Sequence, residues 1–237
     1  MNVLLFSKNE RLDNGLIRIT DNRLEHLHKV LKSQVGDVLK VGELGGLLGS
    51  GKIVELNQNA AVLELNLSKK APQKLPLEVV IALPRPAMTR RIIRAAAELG
   101  VSAVHFINSN RVEKSYWQTP SLQADSIHQL VVEGLSQSID TIVPAITLNP
   151  RFKPFVEDIL PQQIQHRRAI ALHPGDYPAC PVGVIEPCTL VIGPEGGFIP
   201  YEIDLLAEQG CTIASLGTRI LRVEQAFYAA IARISAV

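Results

Sequence analysis

Thr189-Leu190-Val191-Ile192-Gly193-Pro194-Glu195-Gly196-Gly197-Phe198 is the stretch on which the reading of this chain turns. Its first four residues are an apolar, largely β-branched run of the kind found in strands buried on both faces. The glycine-rich turn follows directly, and Glu202 to Gln209 then has helical composition and stops at Gly210. A strand that feeds such a turn and then a helix brings backbone up to a ligand at the carboxyl edge of a sheet. Glycine allows that approach because it has no Cβ and tolerates positive φ, Pro194 stiffens the turn, and Glu195 sets a carboxylate there. Taken alone, an ordinary tight turn reads the same way.

Working outward, the same grammar recurs on both sides. Downstream, the strand Thr212 to Leu216 runs into Gly217-Thr218-Arg219-Ile220-Leu221-Arg222-Val223-Glu224 and then a last helix, about Glu224 to Ile234. Arg219 and Arg222 stand three apart, so both can face one phosphate-bearing partner, or either can pair with Glu224 on the surface. Upstream, Ala169 to Leu172 leads into His173-Pro174-Gly175-Asp176, a third turn for the same rim. Further back lie the apolar run Leu77 to Leu83, a helix Arg90 to Leu99 closed by Gly100, a strand Val101 to Ile107 and a long helical segment Leu122 to Gln137. Strands alternating with helices predict a parallel sheet.

Before Ser68 the pattern changes to short alternating segments such as Lys52-Ile53-Val54-Glu55-Leu56, punctuated by Gly and Asn, with one helix capped by Asp21 or Asn22. This predicts a small barrel with one helix. The stretch from Ser68 to Pro76, with its lysines and prolines, reads as a linker. Domains of 1–70 and 71–237 follow. Gly46 to Ile53 nearly spells a phosphate-binding loop, but Ile53 has no hydroxyl and the following residues alternate as a strand, so a hairpin connection is expected.

At 237 residues, 46% hydrophobic and 20% charged, the composition is that of a globular chain, neither a disordered tail nor a coiled coil. A formal charge of +1 is silent about nucleic-acid partners. The three cysteines form no C-x-x-C pair and the histidines are scattered, so no metal site is expected, and buried thiols suit a reducing cytoplasm. Neither a membrane helix nor a secretory leader is expected.

The two loop motifs, Gly193-Pro194-Glu195-Gly196-Gly197 and Leu216-Gly217-x-Arg219-Ile220-Leu221-Arg222-x-Glu224, resemble the RsmE family, SPOUT-class methyltransferases that make N3-methyluridine in 16S ribosomal RNA. Glu98-Leu99-Gly100-Val101, Val30-Leu31-Lys32 with Gly36-Asp37, and Val143-Pro144 fall where that family has them, so the likeness covers nearly the whole chain. It implies an α/β fold with a deep trefoil knot and a mostly parallel sheet, preceded by a small PUA-like β-barrel for RNA, in a homodimer that acts on 16S rRNA or the small ribosomal subunit. It also implies S-adenosyl-L-methionine as cofactor. The rim carried over is Leu172, His173, Ile192, Gly193, Pro194, Glu195, Gly196, Gly197, Leu216, Gly217, Ile220 and Leu221.

The reaction sets further demands. Uracil N3 lies on the Watson–Crick edge, so the base must be unpaired or flipped before it can react. Lys32, Arg85, Arg111, Arg219 and Arg222 are nominated as RNA contacts. Arg219 or Arg222 is the candidate for stabilising charge on the uracil oxygens, while Glu195 and Glu224 are site carboxylates between which the proton acceptor stays open.

The chain also departs from the pattern. The family's Arg-Thr-Glu-Thr-Ala is here Arg222-Val223-Glu224-Gln225-Ala226, Asp140 stands where an arginine is expected, and Arg90 replaces an acidic residue. Two alternatives therefore stay open: a divergent relative that acts on another RNA or binds RNA and cofactor without turnover, and a non-enzymatic RNA-binding or assembly module.

Overall fold

A computed structural model describes residues 1–12 and 14–235; the last two residues of the expected 71–237 domain lie outside the described residues. The chain divides into two compact units, one made of 1–73 with 132–143, the other of 74–131 with 144–237.

The first unit is a mixed, curled sheet of β1 (Leu4–Phe6), β2 (Leu16–Ile19), β3 (Val38–Glu43), β4 (Leu48–Leu56) and β5 (Ala61–Lys69). The order is β1-β3-β4-β5-β2, with β1 parallel to β3 and the other pairs antiparallel. Helix α1 (Asn22–Lys29) starts at Asp21, whose carboxylate accepts the Arg23 N–H, and turns Leu24 and Leu27 onto Ile17, Ile19, Ile53 and Leu63. The glycine-rich stretch around Gly46 is the β3–β4 hairpin, as the alternation after it predicts. Gly49 serves close packing there, because a Cβ at that position would lie 2.0 Å from the Asn66 carbonyl oxygen. Residues 132–143 join this unit through backbone: Asn2 and Val3 donate to the Ser136 carbonyl, and Gly45 donates to that of Thr141. Asp140 is 4% exposed and accepts the Ile142 N–H at 2.9 Å. The acid that stands in for an expected arginine is thus a buried turn residue.

The second unit is a six-stranded, all-parallel sheet: β6 (Leu77–Ala82), β7 (Ala103–Ile107), β8 (Ala145–Asn149), β9 (Arg168–Leu172), β10 (Cys188–Ile192) and β11 (Thr212–Ala214), in the order β11-β9-β10-β6-β7-β8. Of the runs predicted as strands, β6, β7, β9 and β10 are the central ones, buried along nearly their whole length, and β11 lies at an edge. Helix α2 (Pro86–Glu98) begins four residues before the expected Arg90, with Pro86 in the first turn, where its missing N–H costs nothing. It buries Ile92, Ile93 and Ala95 to Ala97. Helix α3 (Ala124–Ser138) follows, and then two elements the periodicity does not announce: edge strand β8, and a helical stretch of α4 (Phe152–Pro154), a π-helical turn (Phe155–Ile159) and α5 (Leu160–Ile164). Helices α6 (Pro200–Glu208) and α7 (Val223–Ile234) complete the unit. The adjacency of β11, β9 and β10 matters most here, because it places the carboxyl ends of three neighbouring parallel strands side by side.

Candidate active site

The turns after β9 and β11 are tied to each other through backbone, and the turn after β10 closes on itself. His173 donates its N–H to the Ala214 carbonyl at 2.9 Å, so the first turn rests on the end of β11. Ser215 donates to Pro178, and Cys180 donates to Ser215, both at 2.8 Å. Within the β10 turn the Gly197 N–H closes on the Pro194 carbonyl at 2.8 Å with φ of +73° at Gly197, a conformation that favours glycine. Gly193 lies close under the ring of Phe198, so that a Cβ there would lie 3.1 Å from it. The β11 turn is braced by Ser215, whose hydroxyl donates to the Gly217 carbonyl at 3.0 Å.

These turns enclose one cavity of about 430 Å³, within the roughly 300–1,000 Å³ usual for small-molecule sites. Leu172, His173 and Pro174 line it from the first turn, Ile192 through Phe198 from the second, and Ser215, Leu216, Gly217, Arg219, Ile220 and Leu221 from the third. Val223 and Ala226 of α7 and Arg111 from the loop after β7 complete the wall. All twelve residues expected at the cofactor rim therefore surround a single hollow.

The charged candidates divide. Arg219 and Glu195 line the cavity, and a Glu195 carboxylate oxygen accepts the Arg85 backbone N–H at 3.3 Å. Arg222 is exposed just before α7 and does not line the cavity. Glu224 does not line it either: its carboxylate pairs with Arg91 of α2 at 3.4 Å. Arg85 stands before α2, outside the wall, and Lys32 belongs to the first unit, with φ of +50°. Arg111, nominated for RNA, packs its stem on Gly196 and donates from its guanidinium to the Gly196 carbonyl.

His173 is the polar group of the wall with spare capacity. Its Nδ1 is buried without a hydrogen-bond partner among the described residues. Burial, followed by the charge of Arg111, holds the imidazole below its ordinary titration range, so it is neutral at pH 7. Five wall residues lie outside those nominated from sequence: Pro174, Phe198, Ser215, Val223 and Ala226. The first three extend the recognised turns by one residue, and Val223 and Ala226 share a face by their i, i+3 spacing at the start of α7.

The family model for the RNA methyltransferase domain matches residues 71–235. This chain belongs to the RNA methyltransferase domain family. Curated relatives are similar to it over nearly the full length. The ribosomal RNA small subunit methyltransferase E of Treponema pallidum is 29% identical over 100% of this chain and 91% of its own, and an E 1 protein of Borreliella burgdorferi is 28% identical over 97% and 95%. Among solved structures, ribosomal RNA small subunit methyltransferase E from Neisseria gonorrhoeae, bound to S-adenosyl methionine, superposes with a TM-score of 0.75 at 21% identity over 97% of this chain and 95% of that one. A Legionella pneumophila protein in complex with SAM gives 0.76 at 21% identity over 97% and 95%. At that identity the superpositions establish a shared fold. As a member of this family, the chain carries its cavity inside the matched residues.

Proposed function

We propose that this protein is an S-adenosyl-L-methionine-dependent RNA methyltransferase that methylates N3 of a uridine in 16S ribosomal RNA of the small subunit. The observation that carries this reading is the convergence of three turns, those after β9, β10 and β11, around one hollow, in a chain whose full-length relatives are named for small-subunit rRNA methylation.

The wall fits the cofactor. A flat adenine asks for apolar contact and backbone hydrogen bonds, which Ile192, Ile220, Leu221 and the three turns provide. The buried His173 Nδ1, without a hydrogen-bond partner among the described residues, offers one further polar contact, and the missing side chains at Gly193, Gly196 and Gly197 let Phe198, Arg111 and His173 pack close against the β10 turn. When bound, SAM supplies an electrophilic methyl group on a sulfonium sulfur. The protein has to hold the uracil edge, accept its N3 proton and balance charge on the uracil oxygens. Arg219, in the wall, is assigned the last task ahead of Arg222. Glu195 is assigned the proton ahead of Glu224, whose carboxylate is engaged by Arg91. Arg85 and Arg111, which both touch the β10 turn, and Lys32 and Arg222 are assigned to RNA phosphates.

The larger architecture belongs to the same reading: an RNA-binding, PUA-like barrel over 1–70 and a knotted methyltransferase domain over 71–237. The backbone bonds that join loop 174–187 to both Ser215 and the end of α7, Gly183 to Arg233 and Val184 to Ile234, support the knot, since they fasten one loop to the segment after β11 and to the last helix. Exposed Val182, Ile185 and Ile220 support a homodimer. Among the described residues no helix is long and apolar enough to cross a membrane and no metal-binding cluster occurs, and we place the protein in the cytoplasm with its substrate.

Two measurements test the proposal. Calorimetry with SAM should give saturable binding, and its absence removes every methyltransferase reading. Mass mapping of small-subunit RNA from a deletion strain should reveal one unmethylated uridine, and an unchanged RNA removes the 16S target.

A further inference from the structure

Glu202 lies outside the cavity wall, yet it is 2% exposed, an unusual place for a glutamate. A buried carboxylate is costly unless its oxygens are satisfied. Here Oε2 accepts the Ile199 N–H at 3.0 Å and Oε1 accepts the Asn110 N–H at 2.7 Å. The first bond is local capping of α6. The second reaches 92 residues back, to the loop that leaves β7, and capping does not account for it.

What the second bond holds is the neighbour of Asn110. Arg111 leans on the β10 turn, its Cδ 2.8 Å from where a Cβ on Gly196 would sit and its guanidinium on the Gly196 carbonyl. Ile199, at the other end of the carboxylate, follows Gly197 by two residues. One side chain thus pins both halves of this wall. On the far side of the same loop, the Trp117 Nε1–H donates to Asn108 at 3.0 Å and Val112 is buried, so the loop is anchored at both ends and Arg111 has little slack.

We infer that Glu202 is a positioning residue of the methyl-transfer site, whose carboxylate holds Arg111 across the Gly193–Gly197 turn. The inference rests on the reading of the cavity as a SAM site, and its test keeps the two apart. Arg111 and Tyr177, whose ring meets His173 edge-on at 5.8 Å, are the charged and titratable neighbours that the structure places on His173. The His173 titration, followed by NMR on the full chain, therefore reports where Arg111 sits. Arg111→Gln is expected to raise it, Glu202→Leu, which removes both acceptors, to raise it by no more than that, and the double variant to add nothing to Arg111→Gln. An unmoved titration in Glu202→Leu, or in Arg111→Gln, overturns the assignment.

SAM affinity gives a second arm. Each single variant should weaken it about tenfold and the pair no more than either, as expected for residues in one network; losses that multiply overturn the assignment. Should Glu202→Leu fail to fold, amide exchange in the unaltered protein decides, because the Asn110 N–H must be as protected as that of Ile199 and free exchange there overturns it. A wild-type protein that binds no SAM defeats the functional reading alone, while the His173 titration still decides the positioning.

Discussion

Gly196→Ala sets a methyl group against a side chain that is already in place. Its Cβ would stand 2.8 Å from Arg111 Cδ, whereas carbons settle about 3.5–4.0 Å apart, so the arginine stem has to retreat by about 1 Å. The retreat re-aims the guanidinium, and its bond to the Gly196 carbonyl is weakened as the angle opens. A net hydrogen bond is worth about 0.5–1.5 kcal/mol, with the lower end appropriate to an exposed arginine. Because Arg111 lines the cavity, we expect SAM affinity to fall by about two- to tenfold, with a melting temperature close to wild type.

Gly197→Ala is the contrasting perturbation. Its Cβ meets only His173 Cε1, at an ordinary 3.5 Å, but its φ of +73° penalises any Cβ. About 1–2 kcal/mol of backbone strain lowers the melting temperature by roughly 2–8 °C in a chain of this size. Calorimetry and thermal melts on the two variants separate the effects. A Gly196→Ala protein that binds SAM as tightly as wild type refutes the argument that Arg111 forms part of the binding wall.

Three further outcomes follow from other parts of the molecule. Burial pushes the Cys188 thiol up to about 11 and that of Cys211 to about 12, so at pH 8 neither should react with a thiol reagent until the protein unfolds; rapid native-state labelling at either position would contradict this burial. In the first unit, Arg23 holds Asp21 below its ordinary 3.8, and, against the opposing effect of burial, holds Glu10 below its ordinary 4.5. Folded pKa values below the unfolded ones give stability that is full above about pH 4.5 and is lost as pH falls through the folded values, so Arg23→Met should flatten the acid limb of a urea-midpoint profile, and an unaltered limb would count against the network. Gly49→Ala forces a Cβ to within 2.0 Å of the Asn66 carbonyl oxygen and 2.8 Å of Leu67 Cα, backbone that cannot step aside. We expect about 3 kcal/mol of lost stability or more, read by denaturant unfolding, and an unchanged midpoint would be inconsistent with the close β4–β5 approach.

The central strands of the second unit could be read from sequence because they are buried on both faces, and Leu77 to Ala82 or Thr189 to Ile192 are apolar almost throughout. Strand β8 could not, since as an edge strand it keeps Thr147 and Asn149 and is half exposed. The helical stretch after it contains Pro154 and Pro161 and changes pitch through a π-turn, which scrambles the 3.6-residue period. At the site, the rim was legible because each turn is contiguous in sequence and works largely through its backbone. The charged candidates were not equally so. Glu224 takes a partner 133 residues away, and Arg111 touches a carbonyl 85 residues away; no local spacing encodes either pairing.

The manner in which 132–143 joins the first unit bears on any attempt to take the protein apart. Excising the N-terminal piece at the lysine-rich stretch would leave Asn2, Val3 and Gly45 without the carbonyls of Ser136 and Thr141 that their amides now meet, and would strip Gly46 of the Thr141 hydroxyl at 2.6 Å. The reciprocal fragment would carry an orphaned peptide with nothing to rest on. Grafting this N-terminal piece onto another enzyme would therefore require a second splice, bringing the distant stretch along with it.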